Sequence, residues 1–240
     1  VKNPHNQSLV ARKFHFNQRY FEKIDTEQKA YILGFLAADG NVNPDKYGCE
    51  IRIVLHPKDT DLLEKINQEW ESTYVVVDHH LGIYSGFPGS SKLQRKLSVR
   101  SRLMQTDLLK YGIIPNKTNS IRFPKLPDHL DRHFLRGFLE GDGYINHEAF
   151  GWTSNHLMCN DVQWIYIKHG FLELKKYKIK PLSSTVRGTP VHLDIIKWIY
   201  QDSKFHMNRK YEKPQRPYYS NTKHIPCALE VLPPGQGSIP

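Results

Sequence analysis

Two aspartates in this chain sit where they could do chemistry. Asp39 lies in AYILGFLAADGNV (30–42) and Asp142 in HFLRGFLEGDGYI (133–145). The two stretches share Gly-Phe-Leu and then, two residues on, Asp-Gly. They stand about 100 residues apart, the length of one small domain. Small residues recur four apart in each: Gly34 and Ala38, then Gly137 and Gly141. Residues at i and i+4 share a helix face, so each stretch presents a strip without bulk. Such strips let two helices approach closely. Glycine inside a helix costs roughly 0.5–1 kcal/mol relative to alanine, so its use here calls for a packing reason. The expectation is a pair of helices packed about a pseudo-two-fold axis, with Asp39 and Asp142 side by side at their C-terminal ends. Two carboxylates at the negative ends of two helix dipoles repel, and they must share a proton or bind cations. Hard oxygen ligands point to Mg²⁺, and the carbonyls of Ala38 and Gly141 could add to the set. The plainer alternative is that each Asp-Gly is a helix-ending turn with a solvated acid. Duplication on matched small-residue helices favours the metal site.

The elements that must position these acids follow the same order twice. Helical spacing covers 25–39, with Asp25 or Thr26 as cap. An alternating strand follows at 50–55, then a helix at 59–70 and a β-branched strand at 73–80. A basic strand at 92–100 leads to a helix at 101–112 that Gly112 can end. Residues 113–127 carry three prolines and form a connector. The second half has a helix at 128–142, a strand at 148–153, a helix at 155–172, a basic strand region at 178–188 and a helix at 192–202. A final basic helix spans about 207–213. The divisions are an N-terminal arm (1–24), a first half (25–112), a linker (113–127), a second half (128–215) and a C-terminal tail (216–240).

The chain has 240 residues with 34 Lys+Arg against 24 Asp+Glu, a net charge of +10 that favours a polyanionic partner, nucleic acid first. No run of about 18 apolar residues is present, which excludes a membrane-spanning helix. Aromatics at 12% argue against full disorder. Three dispersed cysteines and the lack of an apolar signal core suggest an intracellular protein with reduced thiols. The charge is concentrated in KLQRKLSVRSR (92–102). There Leu93, Leu97 and Val99 fall on one strand face and Gln94, Lys96, Ser98 and Arg100 on the other. An apolar back and a Gln/Lys/Ser/Arg front suit a groove of DNA. Lys92 belongs to the same segment. The four Trp residues (70, 152, 164 and 198) read as core. No P-loop, zinc-ligand spacing or Ser-His-Asp arrangement is present.

On the motifs ILGFLAADG (32–40) and LRGFLEGDG (135–143), the chain resembles the LAGLIDADG homing endonucleases of the monomeric, two-motif type. The resemblance extends through motif order over residues 20–215. It implies an α+β fold of duplicated αββαββα halves related by a pseudo-two-fold axis. Gly34, Ala38, Gly137 and Gly141 would lie in the interface of the motif helices, and the antiparallel sheets would form a DNA-binding saddle. It implies Asp39 and Asp142 as catalytic acids, with Mg²⁺ as cofactor. Mn²⁺ would substitute, and Ca²⁺ would bind without supporting cleavage. The sixth motif position, Ala37 in one copy and Glu140 in the other, is not a metal ligand in the family. Basic candidates for DNA contact are Arg52 and Arg100 in the first half, and Lys178, Lys180, Arg187 and His192 in the second. The expected activity is site-specific double-strand cleavage leaving staggered 3′ overhangs, by a monomer acting on a long, asymmetric or pseudo-palindromic site. The rival reading is a splicing cofactor that binds intron RNA, or a DNA-binding regulator of the same fold.

Overall fold

A computed structural model describes residues 14–45, 48–80, 93–146 and 148–213. The first half runs α1 (Glu27–Ala38), β1 (Asn41–Asp45), β2 (Gly48–Leu55), α2 (Thr60–Glu69), β3 (Val77–His80), β4 (Leu93–Arg100) and α3 (Arg102–Leu109). The second runs α4 (Asp128–Asp142), β5 (Gly143–Ile145), β6 (Phe150–Asn155), α5 (His156–Lys168), β7 (Lys175–Lys180), β8 (Ser183–Gly188) and α6 (Leu193–Tyr200). A short α7 (Asn208–Tyr211) follows. Each half is therefore αββαββα. The two antiparallel sheets repeat one topology, β1-β2-β4-β3 and β5-β6-β8-β7.

Local chemistry accounts for the helix ends. The Thr26 hydroxyl, not Asp25, caps α1 by accepting from Lys29 N at 3.2 Å. Ser101 caps α3 and Asn155 caps α5 in the same way. Gly112 turns the chain out past α3 at φ +77°. The alternation of β4 holds, since Leu97 and Val99 are fully buried against Ile51 and Ile53 of β2 while Gln94, Lys96, Ser98 and Arg100 point the other way.

Helices α1 and α4 form the centre of the core. A Cβ on Gly34 would collide with the Phe134 carbonyl oxygen and stand 3.0 Å from Phe138 N. A Cβ on Gly137 would collide with the Tyr31 carbonyl oxygen and stand 2.9 Å from Phe35 N. The contacts are reciprocal, as a pseudo-two-fold requires. Each helix backbone lies directly on the other, and only a hydrogen side chain fits at the crossing.

From residue 14 on the arm packs into the core: Tyr20, Phe21 and Ile24 are core residues, and Asn17 N donates to Trp70 O at 2.7 Å. Two expectations need correction. The basic region 178–188 is a hairpin of two strands, because Pro181 and Leu182 turn the chain between Lys180 and Ser183. Trp164 lies 61% exposed on α5 rather than in the core.

Candidate active site

The α1–α4 crossing delivers both acids to one place. Asp39 is the C-cap of α1, its N–H donating to Phe35 O, and Asp142 is the last residue of α4. A Cβ on Gly141 would collide with the Ala38 side chain and lie 3.4 Å from Asp39 N, so the helix tips abut at the acids. Both acids are exposed, yet the protein crowded around them raises their affinity for protons. Burial holds the Asp39 carboxyl above its ordinary value, while Lys210 and Lys117 pull it down. Burial and then the Asp39 charge push Asp142 up to about 6.

Two lysines complete the site, and the motif reading did not find them. Lys117 Nζ donates to Gly40 O at 2.5 Å, where α1 gives way to β1. Lys210 Nζ donates to Glu140 O at 2.5 Å and to Gly143 O at 2.6 Å, where α4 gives way to β5. Longer bonds reach Leu139 O and Gly141 O. Each lysine thus satisfies carbonyls left open at a helix end and opposes its dipole. Burial lowers the proton affinity of both, that of Lys210 to about 8, and the two aspartates act against that shift at Lys117. The acids were expected to share a proton or bind cations; two cations of the chain itself already stand beside them. The signal in the sequence was positional. IIPNKT follows α3 as FHMNRKY follows α6, so each half ends by returning a lysine to its own motif helix.

Candidate ligand carbonyls fare unequally. Gly141 O already accepts from Lys210 at 3.4 Å. Among the described residues, no group of three or more His, Cys, Asp or Glu side chains could enclose a metal. The pair Asp39 and Asp142 is nevertheless a hard-oxygen donor set of the kind Mg²⁺ takes, and its raised proton affinity is relieved by a cation. Beside it lies a cleft of about 220 Å³ lined by Ala38, Lys117, Asp142, Thr153, Asn155 and Ser183, among others.

On the first sheet, Arg52 pairs with Asn41 and Ser98, and Lys96 lies between Val54 and Val77. Gln94 faces His79, and Arg100 faces Glu50. These residues make one polar face. Glu50 tempers it, accepting from Ser98 Oγ at 2.7 Å and lying 3.6 Å from Arg52. Lys92 lies outside the described residues. Arg95 points to the opposite face and is held by Asp78 at 2.5 Å. On the second sheet, Arg187 aligns with Lys175, and Thr153 aligns with Thr185 and Tyr177. Past a register shift, Lys180 aligns with Ser183 on that same face. Two candidates are withdrawn. Lys178 aligns with Ser184, whose hydroxyl bonds His156 of α5, so it has the helix-side parity. His192 is buried and caps a 3₁₀ turn, with Nδ1 on Thr189 and Nε2 on the Glu173 carbonyl at 3.1 Å.

No family model matches this sequence, and no curated protein does. Solved structures do match. The homing endonuclease I-WcaI bound to its DNA recognition sequence aligns with a TM-score of 0.54 at 9% identity, over 82% of this chain and 91% of that one. The chain has the LAGLIDADG homing endonuclease fold. The LAGLIDADG meganuclease I-AabMI bound to uncleaved DNA aligns with a TM-score of 0.50 at 13% identity (80% and 88% covered). I-DmoI in complex with DNA and Ca aligns at 0.50 and 12% (79% and 93%). In this LAGLIDADG fold the motif helices are α1 and α4, and Asp39 and Asp142 occupy the eighth motif position of each.

Proposed function

We propose that this protein is a site-specific, metal-dependent double-strand DNA endonuclease. The observation that carries the reading is the convergence of Asp39, Asp142, Lys117 and Lys210 at one seam, flanked by two sheets with polar, cation-bearing faces. A pure binding protein has no reason to set paired carboxylates against phosphate. Three solved structures of this fold are described with DNA, one of them also with Ca, and that supports both the substrate and a divalent ion.

Asp39 and Asp142 would hold the ion, Mg²⁺ in the working enzyme. When bound, it would supply Lewis acidity at the scissile phosphate and a more acidic water. The chain's own residues do the rest. The carboxylates would hold that ion near the pseudo-two-fold axis, where the reacting phosphates of both strands come together. The Lys117 and Lys210 ammonium groups, one from each half, stay bonded to backbone carbonyls and lend positive charge to the seam, which favours charge developing on phosphate oxygens. Arg52, Lys96, Arg100, Arg187 and Lys180 neutralise backbone phosphates, and Gln94 reaches base edges. The halves differ in sequence, so the target is asymmetric or only roughly palindromic, and one chain suffices to cut both strands with 3′ overhangs.

The test is incubation with Mg²⁺ and a library of duplexes with randomised inserts. Enrichment of one cleaved sequence supports the reading. Tight binding of DNA or structured RNA without any cutting would replace it with the binding-protein reading.

A further inference from the structure

The two active-site lysines are held by different devices, and one of them is a buried acid with no role in the reaction as described. Glu140 sits on α4 and is 1% exposed. It accepts hydrogen bonds from Tyr31 Oη of α1, from Tyr200 Oη at 2.7 Å and from Met207 N at 2.7 Å. One turn earlier Arg136, fully buried, donates to Ile199 O at 2.8 Å and to Phe205 O at 3.1 Å. It also pairs with Glu27 at 2.6 Å. Together Arg136 and Glu140 grip the segment 199–207 at both ends. Three residues past Met207, that segment returns Lys210 Nζ to the last carbonyls of the same helix. Among the described residues the first half shows no such grip, and its equivalent motif positions are Leu33 and Ala37. Lys117 is carried on a segment held from the other half. Asn155, the cap of α5, donates to Thr118 O at 3.1 Å and Ile121 O at 3.0 Å.

We infer that Glu140 is a positioning residue for Lys210 alone, so that the sixth motif position sets one of the two lysines of the shared site without touching substrate. An acid buried in the α1–α4 interface is costly to keep unless its partners need it. Among the described residues, its one backbone partner outside the motif helices is Met207, on the segment that delivers the lysine. The inference rests on the endonuclease reading for its consequence in cutting, but not for its geometry.

The experiment therefore has two arms. In the first, the full chain without DNA is treated with an amine-acylating reagent, and modification of each lysine is followed by peptide mass spectrometry. Loss of a hydrogen bond to a charged acceptor is worth about a factor of ten or more. Glu140→Gln should raise the Lys210 rate about tenfold on that basis and leave Lys117 unchanged. Tyr200→Phe, which keeps the ring and removes one donor, should act in the same direction by a smaller factor; it decides the matter if Glu140→Gln does not fold. Unchanged Lys210 reactivity, or a parallel rise at both lysines, overturns the inference. In the second arm, the selected DNA site is labelled on each strand. Glu140→Gln should slow the strand that Lys210→Met slows, and the double variant should cut no slower than Lys210→Met. Equal slowing of both strands, or the strand bias of Lys117→Met, overturns it. If the wild type cuts nothing, the endonuclease reading fails, and the acylation arm still decides whether Glu140 holds Lys210.

Discussion

Gly137 of α4 lies against the Tyr31 carbonyl of α1 so closely that a methyl group has no room there. Gly34 bears the same relation to Phe134 across the pseudo-two-fold. This double contact brings the two helix ends, and so the two aspartates, together.

Gly137→Ala or Gly34→Ala must part the helices. The obstacle is backbone, so no rotamer change relieves it. The cost should be about 3 kcal/mol, the upper end for overpacking, even after the better helix propensity of alanine. Melting should fall by about 6–12 °C for a chain of this size. A change within 2 °C would show that the helices are not in backbone contact.

The Asp142 carboxyl, pushed up to about 6 by burial and by Asp39, binds its proton more tightly in the folded than in the unfolded chain. Stability from that proton is present below about pH 4 and lost as pH rises through 6. Asp142→Asn carries no charge at any pH. The two proteins should therefore melt alike near pH 4, and the variant should gain over the wild type toward pH 7. A constant difference across that range would contradict the crowding of the acids.

Added Mg²⁺ should raise the melting temperature of the wild type at pH 7 in proportion to the logarithm of its concentration. Near pH 6 its binding should release protons from Asp142, seen as a dependence of calorimetric heat on the buffer's ionisation enthalpy. Asp39→Asn and Asp142→Asn should each weaken both effects. Retention in either variant would place the ion elsewhere.

Lys96→Ala should weaken DNA binding and reduce the salt slope of log K by about 1, the loss of one phosphate contact. Lys178→Ala should leave that slope unchanged, because its cross-strand partner Ser184 faces α5. His192→Ala should lower stability and spare the slope, since it removes the Nδ1 that accepts from Thr189 N and the Nε2 that meets the Glu173 carbonyl. Equal slopes for Lys96→Ala and the wild type would remove the first sheet from the interface.

The motif helices, the repeated element order and the inward face of β4 were legible because each rests on local periodicity or on a small-residue pattern. β1 and β5 are short and have no alternation of their own; they exist by pairing with β2 and β6. The 178–188 region read as one strand because its cations hide the turn at Pro181–Leu182. Lys117 and Lys210 could not be found from residue type, because a lysine in a basic chain has no distinguishing neighbours. Their meaning comes from the helix ends they meet in space. His192 was misread for the opposite reason. At the start of the 192–202 helix it reads as a DNA contact, while both ring nitrogens are committed to the 3₁₀ cap and to the carbonyl of Glu173.

The most direct measurement is strand-resolved cleavage of the selected site in Mg²⁺ by the wild type, Asp39→Asn and Asp142→Asn, with DNA affinity measured alongside. If the acids grip one ion between them, the wild type severs both strands, and each single variant loses cutting by orders of magnitude while still binding the site. Undiminished cutting by either variant, or no cutting by the wild type under conditions where it binds, would contradict a shared metal centre at the helix seam.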